Sequence, residues 1–532
     1  MCCRGTACHA PTNNYIALSP ILNDFWQIDR LNVGIVSVPI SSEPSLQYRL
    51  SAWIFLRCLG AIYLIAFVSL GFQVLGLIGS HGLLPVSDFL NEAKLQLGLF
   101  ERFWRAPTLF WIRNDNSALI IGVGIGMMVS LSLILDIAPR LCCFLLWMFY
   151  LSFVSVGQDF FHFQWDSLLL ETGFLAIFLA PSHLWRGCLG EREPPQLVRW
   201  LFVWLLFRLS LESGLSKWLS GDETWRWLTA MDYYYETAPI PTWLGWWAHQ
   251  LPHGFQAASV VVTLVIEGVV PFLLFATRQW RIFAVIMMVA FQVVIEATAN
   301  YGFFNLLSIA LCVLVIDDKI WSRGGKVFHN LRERLTRSCR PSLFRVPKVL
   351  QYSGFGLVVL FSILMYGGFY RVFPFGTKLV SLVAPLESIN SYGLFAVMTR
   401  ERWEIEIQGS RDGVLWKTYP FRYKAGDLHR APPFVAPHQP RLDFQCWFLT
   451  FDGRGDFRQH AYLVSLLKGI CTNNPTILDL LEGNSFSQKG PTYLQLKVHR
   501  YKMTTLAEKQ MTGCYWKMVE SRYWSPVLSC PR

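Results

Sequence analysis

The sequence predicts an α-helical multi-pass membrane bundle followed by a C-terminal β-rich (α+β) extramembrane domain. Of the 532 residues, 53% are hydrophobic and 16% are charged, and the mean hydropathy is +0.34. Soluble domains carry about 25% charged residues, so this composition is typical of a chain whose helices face lipid. Several apolar runs reach the roughly 20 residues that a helix needs to cross a bilayer. After residue 372 the pattern changes to short alternating runs, which favour strands.

The apolar segments predict about nine spanning helices. They lie near residues 51–77, 117–135, 140–157, 167–180, 199–219, 257–276, 281–299, 302–316 and 349–371. The fourth segment is short for a membrane span. Only Asn300 and Tyr301 separate the seventh segment from the eighth. These two segments therefore form either a tight hairpin or a re-entrant piece.

Basic residues predict the orientation of the bundle. Segment 317–348 is the strongest basic cluster beside any predicted span, and such clusters mark the cytoplasmic side. Counting back through the bundle at 49–316 places the N-terminal tail, residues 1–48, on the same side. The parts expected on the opposite side are the loops at 78–116, 158–166 and 220–256 and, after the last helix at 349–371, the domain at 372–532. The net charge of +11 is thus assigned to orientation and headgroup contact. No nucleic-acid partner is expected, because no binding motif accompanies the charge.

The C-terminal segment predicts a small domain with its own core. Residues 403–408 alternate between apolar and polar side chains, which is typical of a half-buried strand. A turn at 410–413 leads into a returning strand at 416–423, and residues 493–498 alternate again. Segments 461–467 and 476–481 favour short helices. About 150 residues are enough for an independent core.

The cysteines exclude one function class and leave a pairing open. The chain has thirteen cysteines and no C-x-x-C motif, which argues against a thioredoxin-type disulfide exchanger. Cys446, Cys471, Cys514 and Cys530 lie in the C-terminal segment and can form disulfides there if it faces an oxidising compartment. The sequence does not determine which of them pair.

Ionisable residues in and beside the predicted spans are the candidate functional groups, because charge at membrane depth is costly. Asp159, His162 and Asp166 could share one face of a helical turn, with Glu171 in the fourth span. A structural network is favoured over a metal site, since one histidine with spaced carboxylates is a weak ligand pattern. In the fifth span, Arg208 can pair with Glu212 four residues on. The other candidates on that span and the loop after it are Lys217, Asp222, Trp225, Asp232, Tyr235 and Glu236.

The loop that carries Asp222 to Glu236 mixes acids with aromatic side chains. This mixture fits an interfacial aromatic belt and a protein-recognition surface about equally well. No phosphate loop, G-x-S-x-G or H-E-x-x-H motif is present, so the sequence predicts no catalytic residue, no metal and no cofactor.

The same loops resemble the lipase maturation factor family. The similarity begins at residues 76–85, 107–111 and 165–175 and is most specific from Gly214 to Pro241. It continues at 300–305 and 317–318, and in the C-terminal domain at 390–395, 399–402, 424–427 and 436–443. These motifs are collinear and cover nearly the whole chain from about residue 46. In the C-terminal domain the candidate residues are Arg430, Pro437, Arg441 and Asp443.

The resemblance implies a chaperone-like membrane protein that assists folding and assembly of secreted lipases. Its partners would be the bilayer and an exported client, contacted by the C-terminal domain and the outer loops. The implied location is the endoplasmic reticulum membrane in a eukaryote and the plasma (inner) membrane in a bacterium. The alternative is an intramembrane enzyme or transporter, distantly similar to the membrane domain of vitamin-K-dependent carboxylases, with Lys217, His162 and Glu171 as proton-transfer candidates. Client identity and oligomeric state are not predicted.

Overall fold

The structure is a computed structural model. It describes residues 47–184, 193–322, 348–369, 381–449, 456–486 and 489–531. Residues 1–46 of the N-terminal tail and residues 323–347 of the predicted basic loop lie outside the described residues. Within them the helical part precedes a mixed α/β part, in the order that the sequence predicts.

Helices dominate the first part of the chain. They are α1 (Arg49–Gly71), α2 (Val74–Ile78), α3 (Val86–Gln96), α4 (Leu99–Arg105), α5 (Asn116–Ile134), α6 (Pro139–Val156), α7 (Gln164–Leu179), α8 (Gln196–Leu219), α9 (Glu223–Arg226), α10 (Ala230–Thr237), α11 (Trp243–His249), α12 (His253–Gly268), α13 (Arg278–Thr298), α14 (Phe304–Val313), α15 (Asp318–Ser322) and α16 (Lys348–Phe369). A helix therefore lies at each of the nine segments predicted as spans.

Within the described ranges, five helices are long and apolar enough to cross a membrane. They are α1, α5, α6, α13 and the 23-residue segment His253–Phe275, which is α12 with the 3-10 turn after it. Of the other predicted spans, α7 has 16 residues and α14 has 10. Helix α8 has 24 residues but buries Arg199, Arg208, Glu212 and Lys217. Length and composition thus support a membrane domain, and the other four of the nine predicted spans stay predictions.

Close packing holds the helices together. Helix α1 packs against α5 and α14, and α8 packs against α7, α12 and α16. At Gly214 of α8, an added Cβ would stand 3.1 Å from the Cβ of Glu267 on α12. Small residues allow helix backbones to approach this closely.

Two aspartates contact the N-terminal ends of α1 and α13. Asp318 accepts hydrogen bonds from the backbone N–H groups of Leu50 and Ser51, each at 3.1 Å, and so caps the start of α1. Asp317 forms an ion pair with Arg278, at the start of α13, with 2.6 Å between the atoms. Carboxylates stabilise helix N-termini because unpaired N–H groups point outward there.

The C-terminal domain combines an antiparallel sheet with short helices. Its strands are β1 (Arg402–Ser410), β2 (Trp416–Tyr419), β3 (Tyr493–Met503), β4 (Trp516–Tyr523) and β5 (Leu528–Ser529), in the order β2-β1-β3-β4 with β5 paired to β3. Its helices are α17 (Arg441–Phe448), α18 (Ala461–Cys471), α19 (Pro475–Leu478) and α20 (Leu506–Thr512). The sequence places β1 and the start of β3 correctly and overestimates the length of β2.

The register of the sheet explains the alternation in the sequence. Ile405 lies opposite Val498, and Ile407 lies opposite Leu496, so that one face of β1 and β3 is apolar and buried. This face contributes to the core that contains Leu463 and other residues of α18. The opposite face of β1 carries Arg402, Glu404, Glu406 and Gln408, because side chains alternate along a strand.

The described cysteines resolve the open pairing. Cys471 at the end of α18 forms a disulfide with Cys530, 59 residues later in the sequence. Cys446 is a buried free thiol, and Cys514 is a free thiol of intermediate exposure. The bond joins the helical layer of the C-terminal domain to the end of its sheet.

Candidate functional site: the polar interface between the helices and the C-terminal domain

A chain segment contacts the side chains of α7 and α8 and leads from the membrane part into the sheet. We name residues 387–400 the crossing segment. It is largely irregular, so its backbone groups need partners outside secondary structure. Charged side chains of α7 and α8 supply many of those partners.

Glu171, Arg208 and Glu212 form the first contact with the crossing segment. Arg208 pairs with Glu171 and donates to the carbonyl of Asn390 at 2.7 Å. Glu171 accepts from the N–H of Asn390 and from the hydroxyl of Tyr392, each at 2.9 Å. Glu212 accepts from the N–H of Tyr392 at 2.8 Å. The predicted Arg208–Glu212 pair is longer, at 3.8 Å, so Glu171 is the closer partner of the arginine.

Lys217, Trp225 and Asp222 form the second contact. Lys217 pairs with Glu267 of α12 at 2.7 Å and donates to the carbonyl of Leu394 at 2.9 Å. The indole of Trp225 donates to the carbonyl of Phe395 at 3.0 Å, and Asp222 accepts from the N–H of Met398 at 2.6 Å. The side chains of one helix and its following loop thus fix five residues of the crossing segment in succession.

Asp166 and Arg441 form the third contact. Arg441, at the start of α17, makes a bidentate pair with Asp166 of α7, with distances of 2.7 and 2.9 Å. It also donates to the carbonyl of Phe160 at 2.7 Å and stacks over the Phe161 ring at 3.7 Å. Arg441 is 2% exposed and Asp166 is fully buried. A bidentate arginine–carboxylate pair fixes orientation as well as distance.

Glu236 joins the outer loop to the sheet. Its carboxylate accepts from the N–H of Met503 at 2.7 Å, and its own carbonyl accepts from Arg402 at 3.0 Å. Arg402 also pairs with Glu404, whose other oxygen lies 2.7 Å from Lys424. Burial raises the pKa of the Glu236 carboxyl above its usual value.

Asp443 lies next to this cluster, inside the C-terminal domain. It accepts from the N–H of Tyr423 at 2.9 Å. Burial raises the pKa of Asp443 to about 6, although the hydrogen bond from Tyr423 and the charge of Lys424 act in the opposite direction. This carboxyl therefore titrates close to neutral pH.

Asn300 also contacts the C-terminal domain, although the sequence analysis did not identify it as a site residue. Its side-chain oxygen accepts from the N–H groups of Val435 and Ala436 at 2.7 and 2.9 Å, and its amide donates to Pro433 at 2.9 Å. Asn300 lies in the short connection between α13 and α14. A polar residue between two apolar helices was the only available signal, and it does not reveal a partner 133 residues away.

The remaining candidates are more exposed. His162 forms a hydrogen bond of 3.1 Å with Glu387, and this bond and the negative charge of Glu387 raise the pKa of the imidazole. Asp232 pairs with His253 at 2.9 Å, and Arg430 pairs with Glu482 at 2.6 Å. Asp159 and Pro437 are exposed. Asp159, His162 and Asp166 do not share a helical turn as expected, since His162 has a φ of 63° and only Asp166 lies in α7.

The aromatic loop after α8 is divided between two environments. Trp225 and Tyr235 are buried, at 3% and 6% exposure, whereas Trp227 is 75% exposed. The buried side chains lie beneath the crossing segment or against the helices, so they cannot meet a partner directly. In the described part of the chain, no three His, Cys, Asp or Glu side chains are grouped as metal ligands.

Lys217, His162 and Glu171 each have a separate partner. Lys217 pairs with Glu267, His162 with Glu387 and Glu171 with Arg208. All three contacts attach α7, α8 or the loop before α7 to a neighbouring segment. Each of the three side chains is thus held by an ion pair with one neighbouring residue.

Comparisons with known proteins cover both parts of this arrangement. The family model described as the lipase maturation factor transmembrane domain matches residues 50–323, and the one described as the lipase maturation factor C-terminal domain matches residues 388–526. Lipase maturation factor 2 of Gallus gallus is 32% identical, with 87% of this chain and 79% of the relative aligned. Lipase maturation factor 1 of Mus musculus is 32% identical, with 88% and 85% aligned.

Lipase maturation factor 2 of Homo sapiens is 31% identical, with 88% of this chain and 81% of the relative aligned. No solved structure matches the chain. The two matched regions meet at the interface described above, since the second begins at the crossing segment. The chain belongs to the lipase maturation factor family.

Proposed function

We propose that this protein is a membrane-embedded folding factor that assists folding and assembly of secreted lipases or similar exported proteins. The observation that carries the proposal is the attachment of the C-terminal domain to the membrane helices through buried ion pairs. Such pairs fix orientation, because a charged group that lost its partner inside the protein would be costly. The outer surface of that domain is therefore presented in one fixed direction.

The C-terminal domain offers an edge on which an unfolded client can dock. Strand β4 is at the edge of the sheet, and its side chains beyond Trp516 and Lys517 are exposed. Met518, Val519 and Tyr523 are 44%, 46% and 69% exposed. An exposed edge strand can pair with an extended segment of another chain, and apolar side chains add to that contact. Strand β2, at the other edge, has only four residues.

The C-terminal domain is proposed to lie on the non-cytosolic side of the membrane. The basic cluster at 317–348 predicts that the end of the bundle away from this domain is cytosolic. The Cys471–Cys530 disulfide supports an oxidising environment for the C-terminal domain. We assign the protein to the endoplasmic reticulum membrane in a eukaryotic host and to the plasma membrane in a bacterial one. In both cases the domain meets exported proteins after translocation.

The β4 edge is tested by two double variants of equal chemistry. Met518→Lys with Val519→Lys places two charges on the edge strand. Val414→Lys with Leu415→Lys places two charges on the β1–β2 turn, where the replaced side chains are 77% and 72% exposed. Each variant is co-expressed with a secreted lipase, and lipase activity per amount of lipase is measured. The proposal predicts at least a fivefold loss for the β4 variant and little change for the turn variant.

Equal effects of the two variants would show that the β4 edge is not the contact.

A scaffold role also predicts that His162→Gln keeps most of the lipase yield, since glutamine can still hydrogen-bond to Glu387. Complete loss with normal folding would instead favour proton-transfer chemistry. The amounts of folded protein, measured in detergent, must match the unaltered chain in every case.

A further inference from the structure

A large cavity lies between the helices beneath the crossing segment. Its volume is about 840 Å³, and α8, α12, α13 and α14 contribute to its walls. Leu394, Phe395 and Val397 of the crossing segment and Phe444 of α17 line it as well. Cavities that hold small molecules have volumes of roughly 300–1,000 Å³, so this one is large enough for an organic ligand.

The wall of the cavity is mainly apolar, with a few polar atoms. The Lys217–Glu267 pair lines it, as do Gln292 and Asn305. Asn305 is 1% exposed, and its amide donates to Glu296 at 2.6 Å. Among the described residues, no group donates to the side-chain oxygen of Asn305 or to that of Gln292. A buried acceptor without a donor costs about 1–3 kcal/mol, so these oxygens favour a ligand with a hydroxyl group.

The cavity opens toward the outward faces of two spanning helices. Phe255 and Val262 of α12 and Val294 of α13 line it, yet they are 52%, 49% and 57% exposed. Both helices belong to the set that is long and apolar enough to cross a membrane. A ligand can therefore enter from the bilayer rather than from water.

We propose that this cavity binds a single-chain lipid with a hydroxyl-bearing head group. The acyl chain would lie along the apolar walls, and the hydroxyl groups would donate to Asn305 and Gln292. A peptide segment is disfavoured, because each of its backbone groups needs a partner and the wall offers few polar atoms. This site is separate from the β4 edge proposed for the client, so either proposal can fail without the other.

The test uses the full chain in nanodiscs of phosphatidylcholine and a photoreactive monoacylglycerol as the probe. Val262→Trp places a bulky ring in the cavity. Val261→Trp is the matched control, because Val261 is the preceding residue of α12, is 45% exposed and does not line the cavity. We expect labelling to fall at least fivefold for V262W and to stay within twofold for V261W. Labelled peptides should come from α8, α12, α13 or α14.

A second comparison tests the role of the polar atoms. Asn305→Leu removes the acceptor, so it should weaken labelling by the monoacylglycerol severalfold. It should not weaken labelling by a photoreactive fatty-acid methyl ester, which has no hydroxyl group. Equal labelling of V261W and V262W, or adducts confined to peptides outside the cavity wall, would overturn the proposal. If both cavity variants fail to fold, the peptide map of the unaltered chain decides between these outcomes.

Discussion

Buried charged side chains on both sides of the interface attach the C-terminal domain to the membrane helices, in addition to apolar contacts. Arg208, Lys217 and Arg441 each combine an ion pair with a hydrogen bond to a backbone carbonyl. These arginine and lysine side chains are at most 4% exposed. Burial makes each pair dependent on both partners, since either one alone would be an uncompensated charge.

Arg441→Met should destabilise the protein by about 3–5 kcal/mol, because it leaves Asp166 buried without its partner. Arg430→Met is the control. Arg430 also forms an ion pair, with Glu482, but its side chain is 33% exposed. Exposed pairs contribute at most about 1 kcal/mol, so this variant should unfold close to the unaltered chain. Thermal unfolding of the full chain in detergent measures both, and similar midpoints for the two variants would contradict this role of Arg441.

The buried carboxyl of Asp443 should make the stability of the C-terminal domain depend on pH. Its folded pKa of about 6 lies above the value of 3.8 for a free side chain. Between these two pH values the folded state binds more protons than the unfolded state, so stability falls as pH rises. The contribution of this titration to the free energy of unfolding is roughly 3 kcal/mol. This stabilisation is fully present below the pKa of the unfolded state and is lost above the pKa of the folded state.

Asp443→Asn removes this titration while it keeps an oxygen that can accept from Tyr423. The variant should therefore gain stability relative to the unaltered chain as pH rises from 4 to 7. The measurement is the unfolding midpoint of both proteins over that range. A constant difference between them at all pH values would exclude Asp443 as the titrating group.

At the scale of elements, the disulfide links α18 to the end of the sheet. It closes a loop that spans 59 residues. A loop of this size predicts a stabilisation of about 4 kcal/mol, chiefly because the unfolded chain is constrained. Cys471→Ala should thus lower the unfolding midpoint of the C-terminal domain clearly. Cys514→Ser should have little effect, because Cys514 is a free thiol.

The comparison is made under oxidising conditions and again after reduction. Reduction should lower the midpoint of the unaltered chain to that of the Cys471→Ala variant and leave the variant itself unchanged. If reduction had no effect on the unaltered chain, the bond would not form in the protein. The argument for an oxidising compartment would then lose its support.

Elements that depend on local pattern could be predicted from the sequence, whereas contacts between distant residues could not. Apolar runs located all nine predicted helices, and alternation located β1 and β3. Among the described residues, five of the nine segments meet the length and apolarity of a membrane span, and the other four stay predictions. What the sequence does not reveal is which residues pair with the four charged side chains that α8 buries. Their partners lie far away in sequence: Glu171 is 37 residues from Arg208, and Asp166 is 275 residues from Arg441.

The site was predicted in part for the same reason. Charge at membrane depth identified Glu171, Arg208 and Lys217 as functional candidates. It did not identify Asn300, in the short connection between α13 and α14, or Arg402, at the start of β1, because neither lies within a predicted span. Nor did it reveal the cavity, which exists only because helices distant in sequence leave a space between them.

At the scale of the whole molecule, the outer loops and the C-terminal domain lie together at one end of the helices. Loops 158–166 and 220–256 and the α13–α14 connection all contact this domain, and His81 contacts Asn474 through a 2.9 Å hydrogen bond. The aspartates that cap α1 and pair with α13 lie at the beginning of those helices instead. The domain must therefore face the same compartment as those loops.

The most direct measurement of the central claim is the side of the membrane on which this domain lies. Two variants are prepared that keep the Cys471–Cys530 disulfide, which does not react with maleimide, and one further cysteine each. One keeps Cys514 in the C-terminal domain, and the other keeps Cys339 in the predicted cytosolic basic segment. Sealed membranes with their cytosolic face outward are treated with a membrane-impermeant maleimide. The account predicts that Cys339 is labelled at once and that Cys514 is labelled only after detergent opens the membranes. Labelling of Cys514 in intact membranes would place the domain in the cytosol, away from every exported client.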